Sequence, residues 1–215
     1  MTDTRNNASG PLILASASPR RDELLTQAGY EFEVVVSEVA EPERAEGEPC
    51  DQYVTRAAAL KARSVARSYP GTPVLGADTI VVVDDTILGK PEDEAEAEQM
   101  LLRLSGRTHE VLTGVALAYL VSGMSLRVTS GVSRTRVTFR ALTPDEVTEY
   151  VRTGEPMDKA GAYGIQGLGG RLVAGYDGSY TNVVGLPMDI VAGLLARADW
   201  PDKPPACPAG SADGV

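Results

Sequence analysis

The ten residues Val74-Leu75-Gly76-Ala77-Asp78-Thr79-Ile80-Val81-Val82-Val83 constrain this chain more than any other segment. They are mostly aliphatic and β-branched, and they form the strongest strand signal in the sequence. Asp78 interrupts the run. Aspartate is disfavoured in so apolar a strand, and a carboxylate removed from water needs a cation, a metal or hydrogen bonds to offset its desolvation. Gly76-Ala77-Asp78-Thr79 therefore reads in one of two ways. Either Asp78 ends the strand and caps a turn, or it is a partnered carboxylate. In a phosphate site, a partnered carboxylate holds Mg²⁺ or takes a proton from an attacking water.

The segments around this strand alternate in character. Leu12 to Ala15 predicts a short buried strand, and Ser18, Pro19 and Gly29 suit the N-cap, the first position and the C-terminal cap of a helix. A second strand is expected over Phe32 to Val36, an acidic loop over Glu38 to Glu48, and an Ala-rich helix over Asp51 to Ser68. A helix from about Glu92 to Leu104 carries acids in its first turn. Two β-rich stretches follow, His109 to Val121 and Leu126 to Arg140, with Ser122 to Ser125 as the turn between them. Thr143-Pro144-Asp145-Glu146 matches a capping box that opens a helix reaching Arg152. A Gly-rich loop over Asp158 to Gly170 leads to a strand at Arg171 to Tyr176, a turn at Asp177-Gly178, and a last helix from Met188 to Arg197. Mixed strands and helices with a central hairpin point to an α/β or α+β mixed sheet rather than a regular doubly wound one. We expect a disordered start over 1–10, one domain over 11–200, and a disordered Pro-rich tail over 201–215.

Composition narrows the chemistry. Thirty acidic against 20 basic residues give a formal charge of −10, which opposes non-specific attraction to nucleic acid or an anionic membrane. His109 is the sole histidine, and Cys50 and Cys207 lie far apart, so no zinc spacing exists and a His-dependent triad is disfavoured. The N-terminus lacks an apolar signal core, and no run approaches the ~18 apolar residues of a membrane span. A cytoplasmic address is the expectation.

Three segments hold the candidate chemistry. Ser16-Ala17-Ser18-Pro19-Arg20-Arg21 places two arginines in the first turn of a helix, whose free N–H groups attract anions. The alternative there is a well-capped surface helix with solvated arginines, and the pattern is no P-loop. The second segment is Gly76 to Thr79, followed by Lys90 in Gly89-Lys90-Pro91. Lys61, on the preceding helix, has a stem that packs on apolar neighbours while its head reaches inward. Either lysine alone also reads as solvated surface charge, and Glu41 in the acidic loop is a weak second metal ligand. The third segment runs from Asp158-Lys159-Ala160-Gly161 to Gly170. Its five glycines allow close backbone approach to a ligand, and Gln166 offers the donor and acceptor that a pyrimidine edge requires. A flexible linker is the plainer reading, but Tyr163, Ile165 and Leu168 supply anchors a linker would not need.

In this order and spacing, the three segments, with Val184-Gly185-Leu186-Pro187, resemble the Maf family over about Pro11 to Arg197. That resemblance implies a Maf/inosine-triphosphatase-like fold with two lobes around a central cleft, often as a homodimer. It also implies hydrolysis of nucleoside triphosphates between the α and β phosphates with a divalent cation, Mg²⁺ or Mn²⁺. Asp78 matches the family's proton acceptor, and Arg20, Thr79 and Gln166 match positions tied to substrate choice. Ser16, Arg21, Glu41, Lys61, Lys90 and Lys159 match other polar positions of the cleft. The Tyr-x-Ile-Gln-Gly ending of the loop resembles the dTTP/UTP branch rather than the 7-methyl-GTP branch. A link to septum formation leaves a regulatory nucleotide binder as the alternative. The hairpin around Ser122 to Ser125 is slightly longer than the family pattern.

Overall fold

A strand as apolar as Val74–Val83 must be covered on both faces, and the fold follows from how that is done. The computed structural model describes residues 11–121 and 125–198; the expected tails and all but the last residue of the hairpin turn lie outside them. In chain order the elements are β1 (Leu12–Leu14), α1 (Pro19–Gln27), β2 (Phe32–Val34), α2 (Cys50–Ala66), β3 (Val74–Val83), β4 (Thr86–Leu88) and α3 (Glu94–Leu104). They continue with β5 (Thr108–Val121), β6 (Ser125–Phe139), α4 (Pro144–Val151), β7 (Val173–Asp177), α5 (Tyr180–Val184) and α6 (Met188–Arg197). One mixed sheet has the order β2-β1-β3-β5-β6-β7, with β4 attached to β3. β1 runs parallel to β2 and β3, and the remaining pairs are antiparallel. The expected mixed α/β sheet is what forms.

On one edge of β3, β1 pairs only with Val74 and Leu75, and β4 only with Val81 to Val83. The edge from Gly76 to Ile80 is thus left without a strand on that side. On one face of β3, Leu75 and Ala77 join an apolar core with α1 and α6, whereas Val81 and Val83 join a second core with α3 and α4. Thr79 lies between the two cores, so a single strand passes through both lobes and is polar where they meet.

The opposite face carries α2. Its inward residues are Val54, Ala57, Ala58, Ala62, Val65 and Ala66, and the sheet beneath offers glycine. A Cβ on Gly76 would lie 2.4 Å from the Ala58 carbonyl oxygen, and one on Gly114 would lie 2.5 Å from that of Val54. Small residues on both partners let the helix backbone rest directly on β3 and β5.

Helix ends follow their sequence signals with some shifts. Thr143 and Glu146 complete the capping box of α4. At α1, Gly29 takes φ 77° while the Tyr30 N–H bonds the Leu25 carbonyl and the Gly29 N–H that of Thr26, a left-handed helix stop. Ser18 stands at the N-cap of α1 but makes no side-chain cap; its backbone N–H donates to the Ser16 hydroxyl. α3 starts at Glu94 rather than Glu92, since Asp93 caps it through the Glu96 N–H. The strand expected from Arg171 starts at Val173, because glycines 167, 169 and 170 carry the chain through a 3-10 turn as far as Leu172. β4 and α5 carry too few residues to show a period. No helix among the described residues is long and apolar enough to cross a membrane.

Candidate active site

The polar stretch of β3 forms the floor of a cleft of about 440 Å³, within the size range of small-molecule sites. Ser16, Arg20, Arg21, Glu41, Lys61, Asp78, Thr79, Lys90, Lys159 and Gln166, all singled out in the sequence, line it. α1 enters from one lobe, and the Gly-rich segment covers the other.

Asp78 points to the α2 face and is 7% exposed. Its Oδ1 accepts from Lys61 Nζ at 2.5 Å, and Lys61 also contacts Glu41 Oε1 at 3.5 Å. The glycine-on-alanine seat of α2 makes this pair possible, because Lys61 sits between the two residues, Ala58 and Ala62, that touch Gly76. Asp78 is therefore the partnered carboxylate, not a turn cap. Among the described residues its Oδ2 receives no protein hydrogen bond.

Thr79 points the other way. Its hydroxyl accepts from Arg21 Nη2 at 3.1 Å and meets Thr113 Oγ1 at 3.0 Å. Thr113, fully buried, donates to the Asn182 carbonyl, so Thr79 must donate to Thr113. Asn182 in turn donates to the Val111 carbonyl and to Thr135 Oγ1. This chain of bonds ties α1, β3, β5, β6 and α5 together at the junction of the two cores.

The two arginines divide in function. Arg21 commits Nε to the Gly185 carbonyl at 2.8 Å and Nη1 to Ser16 Oγ and the Ala77 carbonyl, in addition to the Thr79 bond. Four of its five N–H groups are thus held by the protein, and the one to Ala77 serves the strand edge that β1 and β4 leave open. Burial lowers its basicity from the ordinary arginine value, and the Asp78 carboxylate acts in the opposite direction. Among the described residues Arg20 binds only Asp158 Oδ2, at 3.0 Å and in contact with solvent, and so remains exchangeable.

Across the cleft, the Gly-rich segment is not an open loop. It runs through three 3-10 turns, Glu155–Asp158, Ala160–Ala162 and Gly167–Leu172. Lys159 Nζ donates to the Glu155 carbonyl at 2.5 Å and to Asp158 Oδ1 at 2.6 Å. Burial raises the Asp158 carboxyl, but Lys159 and Arg20 outweigh it and hold it below the usual range. Lys90 is exposed at the rim, behind Gly89, whose carbonyl accepts the Gly161 N–H. Gln166 is half-buried, and its side-chain amide binds no protein group among the described residues. Beneath the segment, buried His109 bonds Tyr163 Oη through Nε2 at 2.7 Å, and desolvation lowers its pKa to about 4.

Asp78 and Glu41 are the two carboxylates that share one cationic position, now held by the Lys61 ammonium. Among the described residues no group of three or more His, Cys, Asp or Glu side chains gathers as a metal cage. Two carboxylates facing an open cleft suit Mg²⁺, which completes its shell with water and substrate phosphates. The sequence reading missed Thr113, Asn182 and Glu155, and named Asp158 only as the start of the Gly-rich segment. Thr113 carried the same signal as Asp78, a lone polar residue in an apolar run; the others gain meaning only from their partners.

Comparison with known proteins places the chain in a family. A family model described as "Maf-like protein" matches residues 11–198. A protein named dTTP/UTP pyrophosphatase from Myxococcus xanthus is 53% identical over 88% of this chain and 93% of its own length. One of the same name from Escherichia coli O157:H7 is 52% identical over 86% of this chain and 92% of its own. A nucleoside-triphosphatase/dITP/XTP pyrophosphatase structure from Mycobacterium abscessus shows only a partial likeness. It covers 60% of this chain and 73% of that one, at 19% identity and a TM-score of 0.35. With a match across every described element, and with relatives more than half identical over nearly their whole length, the chain belongs to the Maf family.

Proposed function

We propose that this chain hydrolyses dTTP and UTP to the nucleoside monophosphate and pyrophosphate. The observation that carries the reading is Asp78. It is a buried carboxylate at the cleft floor, with Oδ1 on Lys61 and Oδ2 left open. Relatives about half identical to this chain, named dTTP/UTP pyrophosphatases, supply the substrate class.

The α1 N-terminus and Arg20 receive the triphosphate, Arg20 exchanging Asp158 for phosphate oxygens. Lys90 and Lys159 add positive charge along the same wall, and Arg21 with Ser16 keeps the floor rigid. Water approaches the α-phosphorus from the β3 side and gives its proton to Asp78 Oδ2. The new P–O bond forms as the bond to the bridging oxygen breaks, and pyrophosphate leaves with that electron pair. Gln166 presents its amide to the pyrimidine edge, donating to a carbonyl and accepting from the ring N–H. Glu41 and Asp78 Oδ1, the two carboxylate oxygens that meet Lys61, would hold a Mg²⁺ or Mn²⁺ ion, which would offset the charge developing on the pyrophosphate, and Oδ2 stays free for the proton. The same reading has the enzyme acting on free nucleotides in the cytoplasm as a homodimer, and its net charge of −10 opposes binding to polynucleotides.

The test is pyrophosphate release with Mg²⁺ from dTTP, UTP, CTP, dATP, GTP and 7-methyl-GTP. Release chiefly from dTTP and UTP, with monophosphate as co-product, supports the assignment. Preference for 7-methyl-GTP or a purine keeps the chemistry but removes the role given to Gln166. Nucleotide binding without release would make the chain a regulatory binder.

A further inference from the structure

Glu155 lies outside the cleft lining, yet the segment that carries Gln166 is built upon it. Its Oε1 accepts the Gly169 N–H at 2.9 Å and the Tyr150 hydroxyl at 2.9 Å, and its Oε2 accepts the Leu168 N–H at 3.0 Å. Those two amides open the 3-10 turn that begins one residue after Gln166. At such a start the N–H groups have no partner within the turn, and a carboxylate satisfies them with charge-assisted bonds.

Two of the glycines are explained by this seat. Gly167 has φ +73°, and a Cβ there would come 2.9 Å from Glu155 Oε2. A Cβ on Gly169 would lie 2.6 Å from the Tyr150 hydroxyl and 2.4 Å from the Gly164 carbonyl oxygen. The backbone on both sides of Leu168 is pressed onto the carboxylate and the phenol that orients it. At the other end, the Glu155 carbonyl accepts Lys159 Nζ, which bonds Asp158, which bonds Arg20. One residue therefore anchors both the base-facing amide and the lysine at the phosphate side.

We propose that Glu155 is a positioning residue for base selection, its carboxylate fixing the backbone on which Gln166 is presented. The proposal rests on the nucleotide reading given above, because it assigns Gln166 the base. It goes beyond that reading in locating discrimination in a residue that touches neither base nor phosphate. Asp78 and Lys61 lie on β3 and α2, away from this seat, so the chemical step is not expected to depend on it.

Three variants test this: Glu155→Ala, Glu155→Gln and Glu155→Asp. Glu155→Ala leaves two amides and a phenol without their acceptor and is expected to raise KM for dTTP and UTP about tenfold or more, with kcat within about threefold. The kcat/KM ratio of dTTP to CTP and to dATP falls in parallel. Glu155→Gln, which keeps one acceptor oxygen but turns an NH₂ toward donors, is expected to fall between wild type and Glu155→Ala. It also serves as the test if Glu155→Ala does not fold. Glu155→Asp keeps the charge but shortens the reach and restores part of the discrimination. Amide hydrogen exchange over residues 164–170 gives a readout independent of turnover, and it is expected to accelerate in Glu155→Ala and Glu155→Gln. Unchanged exchange there, or an unchanged KM and base ratio in a folded variant, overturns the proposal. Absence of pyrophosphate release from the wild type instead overturns the functional reading, while the exchange data still decide whether Glu155 holds the segment.

Discussion

Replacing Gly76 by alanine puts a Cβ 2.4 Å from the Ala58 carbonyl oxygen and 2.7 Å from the Ala62 amide nitrogen. Both are backbone atoms of α2, so no side-chain rotation relieves the contact. Ordinary contact begins at 3.4 Å, and reaching it requires the helix to rise about 1 Å from the sheet. Overpacking of this kind costs about 1–3 kcal/mol, whereas the alanine itself returns only about 0.5–1 kcal/mol over glycine within a strand. The overpacking term wins. A net loss of ~1–2 kcal/mol lowers the melting temperature by roughly 2–8 °C in a domain of this size. Lys61 moves with the helix and away from Asp78 Oδ1, which loosens the carboxylate that takes the proton, and a misplacement of about 1 Å costs on the order of 10² in rate. Thermal unfolding and pyrophosphate release on the same preparation measure both effects. Gly175→Ala is the control, because that strand glycine has nothing within 4 Å of its added Cβ; activity should be unchanged and the melting temperature should rise by about 1–4 °C. If Gly76→Ala keeps the wild-type melting temperature and a kcat within about twofold, the close seating of α2 does not set the Lys61–Asp78 geometry, and the argument fails.

Asp78→Asn keeps the size of the side chain but removes its charge and basicity. It should reduce kcat by about 10²–10⁴-fold while nucleotide binding persists; near-normal turnover in steady-state assays would remove Asp78 from the mechanism. Gly193 lies exposed within α6 with free space around a new Cβ. Gly193→Ala should therefore stabilise the protein by ~1 kcal/mol in denaturant titration, and a destabilised variant would contradict the placement of that helix face. His109 has its pKa lowered from 6.5 to about 4 by burial. Between those values the unfolded chain binds more protons than the folded one, so the stability contribution is whole above 6.5, falls as pH drops, and levels off below about 4. The loss is about 3 kcal/mol over that window, and it should be absent from the pH dependence of His109→Phe; an identical slope in both proteins would refute it.

Much of this protein is legible in its sequence because the signals are local. The apolar run of β3, the capping box at Thr143, the proline at the first turn of α1 and the glycine at its end each act within a few residues, and the structure bears each of them out. Asp78 was found because a charge in an apolar strand is locally anomalous. The residues lining the cleft were recognised through their order along the chain and the family they resemble. Tertiary structure alone decided their relations. Lys61 reaches Asp78 only because the α2 backbone rests on Gly76 at Ala58 and Ala62 and on Gly114 at Val54, on strands distant in sequence. The cleft opens where β1 and β4 fail to meet on the edge of β3, a matter of sheet pairing that no single segment records. Arg21, adjacent to Arg20, becomes a brace rather than a free phosphate ligand because its neighbours come from Ala77, Thr79 and Gly185. Glu155 passed unnoticed for the same reason. An exposed-looking glutamate in a turn carries no local anomaly, and its importance lies in the two amides that a chain of glycines folds back onto it. Periodicity and capping are set by neighbouring residues, whereas which donor meets which acceptor across a cleft is set by packing between segments far apart in the chain.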